Sequence, residues 1–446
     1  MNTVSRLFPI IIIERLRKVY ESIIMTSQYG FRKNRSTTDA IFIVREAIKS
    51  TSKPIYLCMI DLRAAYDHID RNMLFKVLTI RTRAPKLVSI LKALYTGTVA
   101  AIKQTTDKFQ VHTGCRQGGI ESPVLFNIYM DFVLRCVEHE VLAKYPESGL
   151  MYSHHIKHES STREQRRIHG LSDSARLRML LYADDIVLFS ENIEELQGCI
   201  EIYNNTFKRF GLTIATDKTK TIIFNAPEEV MNRKSIINLE NEDIENVRQF
   251  KYLGHMLSNV HTITPSFITN QISSAYQKWN ELKSMFLDKR IHLQTRIKFP
   301  EAYIRSRLLY SVQAWQLNTA EMRRIESVWN GFLRRMVKGG FRRRNAPRDV
   351  DFNPENSTSW AYIISTDELK RITNTTDIKV FCKTQHLKYI AHVMRSNNDI
   401  LQKQFLFSRS SSNRWTKLPS DFEIDEQQLR RMMMVKKDLR LLLNTN

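Results

Sequence analysis

Apolar positions along the chain change spacing several times, and each change predicts a different element. Up to residue 50 they recur at helical spacing on both sides of a polar turn, Gln28-Tyr29-Gly30-Phe31-Arg32-Lys33-Asn34-Arg35-Ser36-Thr37, which predicts two helices. A short unbroken apolar run, Ile55 to Ile60, follows Pro54 and has the length of a buried strand. Helical periodicity returns from residue 64 to about residue 95. After a glycine-rich turn at 114–119, Ser122-Pro123 supplies a cap and a proline suited to a first helical position. Leu125, Ile128, Tyr129, Phe132, Cys136 and Val137 then mark one buried helix face. Residues 144–176 are polar and charged and read as a surface loop. Two apolar runs, 179–182 and 186–189, flank an acidic centre and predict a hairpin. A helix over 193–210 is stopped by Gly211, and short strands are expected at 212–215, 221–224 and 250–253. From about residue 265 the pattern is helical, with a basic interruption at 338–344, a polar loop-like segment at 345–376 and mixed helix beyond.

Composition narrows the partners. The 446 residues are 42% hydrophobic, enough for about three packed units at ~150 residues each. Lys and Arg outnumber Asp and Glu by 68 to 46, a net charge of +22. Such an excess favours a polyanionic partner, because each neutralised phosphate releases a counterion; a merely solvated basic surface satisfies the same numbers. Cys58, Cys115, Cys136, Cys199 and Cys382 lack paired spacing, which argues against a zinc ribbon or disulfide framework and fits a reducing compartment. No apolar stretch is long enough to cross a bilayer. The run from Leu7 to Ile13 leads straight into Glu14-Arg15 without a small-residue cleavage site and reads as core. A soluble intracellular protein is expected, in nucleus or cytoplasm.

The candidate chemistry begins at Tyr182-Ala183-Asp184-Asp185. Adjacent carboxylates between two apolar strands lose much of their water, so a positive partner is needed. An ordinary acidic turn is the plain alternative, weakened because solvated hairpins usually alternate polar and apolar residues. No Lys or Arg lies within five residues after Asp185, which leaves a bound cation as compensator. Hard oxygen ligands suit Mg²⁺. Asp61 ends the strand Ile55 to Ile60, where capping the following helix is the simpler job. If the two apolar strands are neighbours, three carboxylates converge at one sheet end, an arrangement suited to two metal ions.

At this point a family resemblance appears. Asp61-Leu62-Arg63-Ala64-Ala65-Tyr66-Asp67 resembles the first catalytic motif of reverse transcriptases, and Gly114 to Phe126 resembles the second. Tyr182 to Asp185 is similar to their YADD box. Gly211-Leu212 with Lys218-Thr219 is similar to the fourth motif, and Phe250-Lys251-Tyr252-Leu253-Gly254 to the fifth, the primer-grip turn. Gln28 to Thr37 resembles the fingers segment of the non-LTR class. Any one motif is weak; the ordered set across residues 28–254 is specific.

The resemblance implies a mixed α/β (α+β) right-hand polymerase: partial fingers over 1–54, an antiparallel-sheet palm over 55–260 with interleaved fingers helices, a helical thumb over 261–344, and a helical region of unassigned role over 345–446. It implies two Mg²⁺ ions (Mn²⁺ as substitute) held by Asp61, Asp184, Asp185 and the Leu62 carbonyl. Tyr66 would exclude a 2′-hydroxyl, Gln117 and Gly118 would pack on the incoming dNTP, and Lys218 would protonate the departing pyrophosphate unless it is an exposed turn lysine. RNA template and DNA primer are the implied partners, with Arg32, Arg35, Tyr252, Arg342, Arg343 and Arg344 as contact candidates. Solvated basic turns and a basic linker are the alternatives for the arginines. Trp315 and Trp329 read as core, and His154, His155 and His158 as a histidine-bearing loop rather than a metal site. A remnant that only binds nucleic acid and a maturase-like RNA-binding protein remain open beside the polymerase. Because only 27 residues precede Gln28, part of the fingers and its triphosphate grip is expected to be absent. The chain is therefore expected to bind primer–template but extend it poorly, and target-DNA nicking is not expected.

Overall fold

The computed structural model describes residues 3–101, 108–116, 118–154, 173–259, 266–315, 317–337, 364–397 and 399–406. The chain divides into two compact units. The first takes in Met1–Val260 and, among the later described residues, 396–406; the second takes in the described part of His261–Arg395.

In the first unit, helix α1 (Thr3–Ile23) and helix α2 (Thr37–Lys49) flank the polar turn. Ser36 starts α2 with a capping box, its side chain accepting from the Asp39 amide while Asp39 accepts from the Ser36 amide. Strand β1 (Ile55–Ile60) is buried at all six positions, as a strand covered on both faces must be. The helical stretch after it is three helices: α3 (Ala65–His68), α4 (Arg71–Thr82) and α5 (Pro85–Tyr95). Asp70 caps α4, a left-handed Arg83 ends it, and Pro85 opens α5. A small hairpin, β2 (Val99–Ala101) and β3 (Lys108–Gln110), precedes α6 (Ser122–Lys144), where Ser122 is the first helical residue rather than the expected cap: Glu121 holds the cap position without a side-chain bond, and Pro123 sits in the first turn.

The expected surface loop after α6 is in part a hairpin. Strand β4 (Leu150–His154) pairs with β5 (Asp173–Leu177); Leu150 and Tyr152 point inward and Met151 outward, a short alternation that its charged flanks hide. Strands β6 (Met179–Tyr182) and β7 (Asp185–Ser190) form the expected acidic-tipped hairpin. The helix Ile193–Arg209 and strand β8 (Lys220–Phe224) follow. The strand expected at 212–215 is instead a single bridge from Ile214 to Leu62, because its backbone serves the Asp61 segment: Arg63 N–H donates to the Thr213 carbonyl and Ala215 N–H to that of Asp61. Two further hairpins close the unit, β9 (Ser235–Leu239) with β10 (Glu242–Glu245) and β11 (Gln249–Tyr252) with β12 (His255–Ser258). The sequence reading missed the first of these.

The main sheet is antiparallel with strand order β6-β7-β1-β8, so the two apolar strands from distant sequence are neighbours. Its core includes Cys58, Ile60, Phe126, Tyr129, Leu181, Ile186 and Phe207. The second unit is helical among its described residues, with Trp279, Phe286, Trp315, Trp329 and Phe332 in its core, so both tryptophans expected to be core are buried.

Candidate active site

Strand register brings the acidic residues together. β1 pairs with β7 up to Ile60 opposite Ile186, and continued by one residue that register sets Asp61 across from Asp185. Between Tyr182 and Asp185 the chain turns through Ala183 at φ 59° and Asp184. A non-glycine residue in the left-handed region costs roughly 1 kcal/mol and persists only when its surroundings enforce it. Gln28 does so: its Oε1 accepts from the Ala183 amide at 3.0 Å and the Gly30 amide at 2.7 Å, while its Nε2 donates to the Ala183 carbonyl at 3.3 Å. The backbone on either side adds Tyr29 N–H to the Leu181 carbonyl at 2.8 Å and Leu181 N–H to that of Ser27 at 3.0 Å. Gly30 lies so close to the turn that a Cβ there would come within 2.3 Å of the Ala183 nitrogen. Asn127 on α6 holds the Gly30 carbonyl from behind at 2.7 Å.

The other motifs lock onto this centre. Asp61 N–H donates to the Thr219 hydroxyl at 3.2 Å, and the Lys218 ammonium stands 3.9 Å from an Asp61 oxygen. Gly114, at φ 74°, presses on the Tyr66 and Asp67 backbone where a Cβ would meet atoms at 2.7–2.9 Å, so the second motif is seated on the first. The Tyr66 ring stacks on Phe126 at 4.1 Å, and its hydroxyl pKa is raised by burial and by the nearby Asp184 charge. Tyr252 precedes the left-handed pair Leu253-Gly254 and is buried, its pKa raised by burial and then by the Asp185 charge.

Electrostatics favour a cation there. Desolvation and then the Asp184 and Asp61 charges push the Asp185 carboxyl up to about 6, and Asp184 is raised by desolvation and by Asp61. These groups sense one another yet form no closed cage: among the described residues no three Asp, Glu, His or Cys side chains are grouped tightly enough to hold an ion alone. An open carboxylate set is what Mg²⁺ needs when substrate phosphates complete its shell. The residues therefore fit such an ion, and Asp61, Asp184 and Asp185 are the side chains that could hold it.

Other expected residues lie elsewhere or are engaged. The Arg32 guanidinium is turned inward onto Glu21 and the Met25 and Gln28 carbonyls. Arg35 lies over the Tyr29 ring. Gly118 has open space around it at φ 73°. His154 is buried on β4. Gln117, Arg342, Arg343, Arg344, His155 and His158 lie outside the described residues. Gln28 and Asn127 were missed as supports of the turn; no sequence signal pairs Gln28 with Ala183, 155 positions away.

The family model for reverse transcriptase (RNA-dependent DNA polymerase) matches residues 1–257, more than half of the 446-residue chain. The chain belongs to the reverse transcriptase family. That membership gives the fold class, a right-hand polymerase with an antiparallel-sheet palm, and a family that depends on divalent metal. This reverse transcriptase chain is 25% identical over 225 residues to the COX1/OXI3 intron 1 protein of Saccharomyces cerevisiae, covering 46% of the chain and 26% of that protein. It is 23% identical over 235 residues to the Pol polyprotein of the type-1 retrotransposable element R2 of Nasonia vitripennis, covering 50% of the chain and 20% of the polyprotein. The matches thus span about a quarter or less of these curated relatives. Among solved structures, apo telomerase of Candida tropicalis has a TM-score of 0.43 at 10% identity, covering 98% of this chain and 61% of that one. No helix among the described residues of the reverse transcriptase is long and apolar enough to cross a membrane.

Proposed function

We propose that this chain is the polymerase portion of a non-LTR retrotransposon reverse transcriptase, extending a DNA primer on an RNA template with dNTPs. The observation that carries the reading is the register of β1 on β7, which sets Asp61 across from Asp185 beside Tyr66. Two Mg²⁺ ions on Asp61, Asp184 and Asp185, with the Leu62 carbonyl, would activate the primer hydroxyl and steady the leaving oxygen.

The chain's own residues supply the rest. Tyr66, braced by Phe126, bars a 2′-hydroxyl; Gly118 and Gln117 line the nucleotide; Lys218 offers a proton to pyrophosphate. Tyr252, buried beside the left-handed Leu253-Gly254 pair, belongs to the turn that would meet the primer. The excess positive charge draws the nucleic acid, with Arg342, Arg343 and Arg344 in a thumb region as phosphate contacts. The intron-protein relative favours a second reading, a maturase-like RNA-binding protein. Primer extension on a generic RNA template with Mg²⁺ separates the two. Slow extension is expected, and Asp184→Asn should abolish it while leaving primer–template affinity within a few-fold. Extension at near-normal rate by Asp184→Asn would sink the assignment.

A further inference from the structure

The helix Leu401–Leu406 belongs to the first unit and packs against α2. Its Gln402 is fully buried at 0% exposure. The Tyr29 hydroxyl donates to Gln402 Oε1 at 2.5 Å, and Arg35 approaches the same oxygen at 3.4 Å while its guanidinium lies 4.5 Å above the Tyr29 ring. Two donors converging on one atom fix which way the amide faces. Tyr152 and Phe405 stack beside it, and the Tyr152 hydroxyl donates to Gln404, so the helix is seated by more than one residue.

Tyr29 sits between Gln28 and Gly30, the two residues that grip Ala183, and its own amide holds Leu181. Its ring is wholly buried. A buried hydroxyl stripped of its acceptor is left with its donor unmet, and the nearest relief is movement of Tyr29 itself. Such a movement would be passed to both of its neighbours and so to the turn carrying Asp184 and Asp185.

We infer that Gln402 is a positioning residue for the catalytic turn, acting through the Tyr29 hydroxyl from a segment that no polymerase motif covers. The inference rests on the proposed polymerase reading for its effect on rate, but its structural half does not.

The test uses the full-length chain with Gln402→Met, which keeps side-chain length and removes the acceptor, and Gln402→Glu, which keeps an acceptor. Tyr29→Phe and the double variant Tyr29→Phe/Gln402→Met complete a double-mutant cycle. Two quantities are read: the single-turnover rate of nucleotide addition at saturating substrates, and hydrogen exchange at the Tyr29, Gly30 and Ala183 amides. Gln402→Met should slow addition about tenfold and speed exchange at those amides by a similar factor, with primer–template Kd unchanged. Gln402→Glu should stay near wild type. The double variant should recover most of the loss, because it leaves no buried tyrosine hydroxyl unmet. Should Gln402→Met fail to fold, Gln402→Asn, which withdraws the oxygen by one methylene, takes its place. Unchanged exchange at the three amides, or fully additive losses, overturns the inference. If the wild type does not extend primers at all, the polymerase reading fails while the exchange data still decide the role of Gln402.

Discussion

Asp185 holds its proton to about pH 6 because desolvation, and then the Asp184 and Asp61 charges, disfavour its ionised form. A carboxyl raised above its ordinary value destabilises the fold when ionised: the cost is full above pH 6 and gone once the pH falls below the unfolded value near 4. The residue is exposed, so solvent screens part of that cost. Asp185→Asn should therefore be more stable than wild type by about 1 kcal/mol at pH 7.5 in EDTA, with the difference vanishing near pH 4. Urea titrations at the two pH values check this; equal midpoints at pH 7.5 would mean the carboxylates do not repel. Tyr66 makes a separate prediction. Its ring is fixed by Phe126 beside Asp184, so Tyr66→Ala should raise ribonucleotide incorporation relative to deoxynucleotides about tenfold or more. Unchanged sugar discrimination in a folded, extending protein would count against the gate. Asp61, Asp184 and Tyr66 stand out in sequence because each has a fixed offset in a motif. Gln28, Asn127 and Gln402 do not, because buried amides carry no periodicity and their partners are set by tertiary packing alone.

Elements were legible where one physical signal dominated. The apolar runs of β1, β6 and β7 and the Ser-Pro start of α6 leave little choice of structure. Strands β4 and β9 were hidden because each buries only alternate side chains, and β10 because it buries Ile244 alone among charges. The segment at 212–215 misled for the opposite reason: it is apolar, but its hydrogen bonds go to the Asp61 connection instead of a ladder. The seat of the Gln28–Gly30 turn on the β6–β7 hairpin gives this scale its prediction. At Gly30 a methyl group would meet backbone at 2.3 Å and 3.0 Å, which no rotamer relieves. Gly30→Ala should displace Ala183 and lower the extension rate about 100-fold, since a misplacement of 1 Å at a reacting centre is that costly. Primer–template affinity should hold. A Gly30→Ala protein with wild-type rate would show that the turn tolerates the shift.

At the scale of the whole molecule, charge was legible and connectivity was not. The +22 excess leads to a salt titration: replacing Arg342, Arg343 and Arg344 with alanine should weaken binding on all sequences and flatten the log–log salt slope by roughly 0.7–0.9 per lost phosphate contact. An unchanged slope would make the stretch a linker. Nothing in the residue pattern announced that the chain, after a helical second unit, returns at 396–406 to the first. The two partners in that return, Tyr29 and Gln402, are 373 positions apart. A ribosome adding ~5–20 residues per second takes roughly 20–75 s to pass from one to the other. By the end of that interval Asp61, Asp184 and Asp185 have all been made, while the Tyr29 hydroxyl has had no Gln402 to meet. On the inference drawn for Gln402, the nascent chain carries its proposed metal ligands before it carries the acceptor that sets their turn.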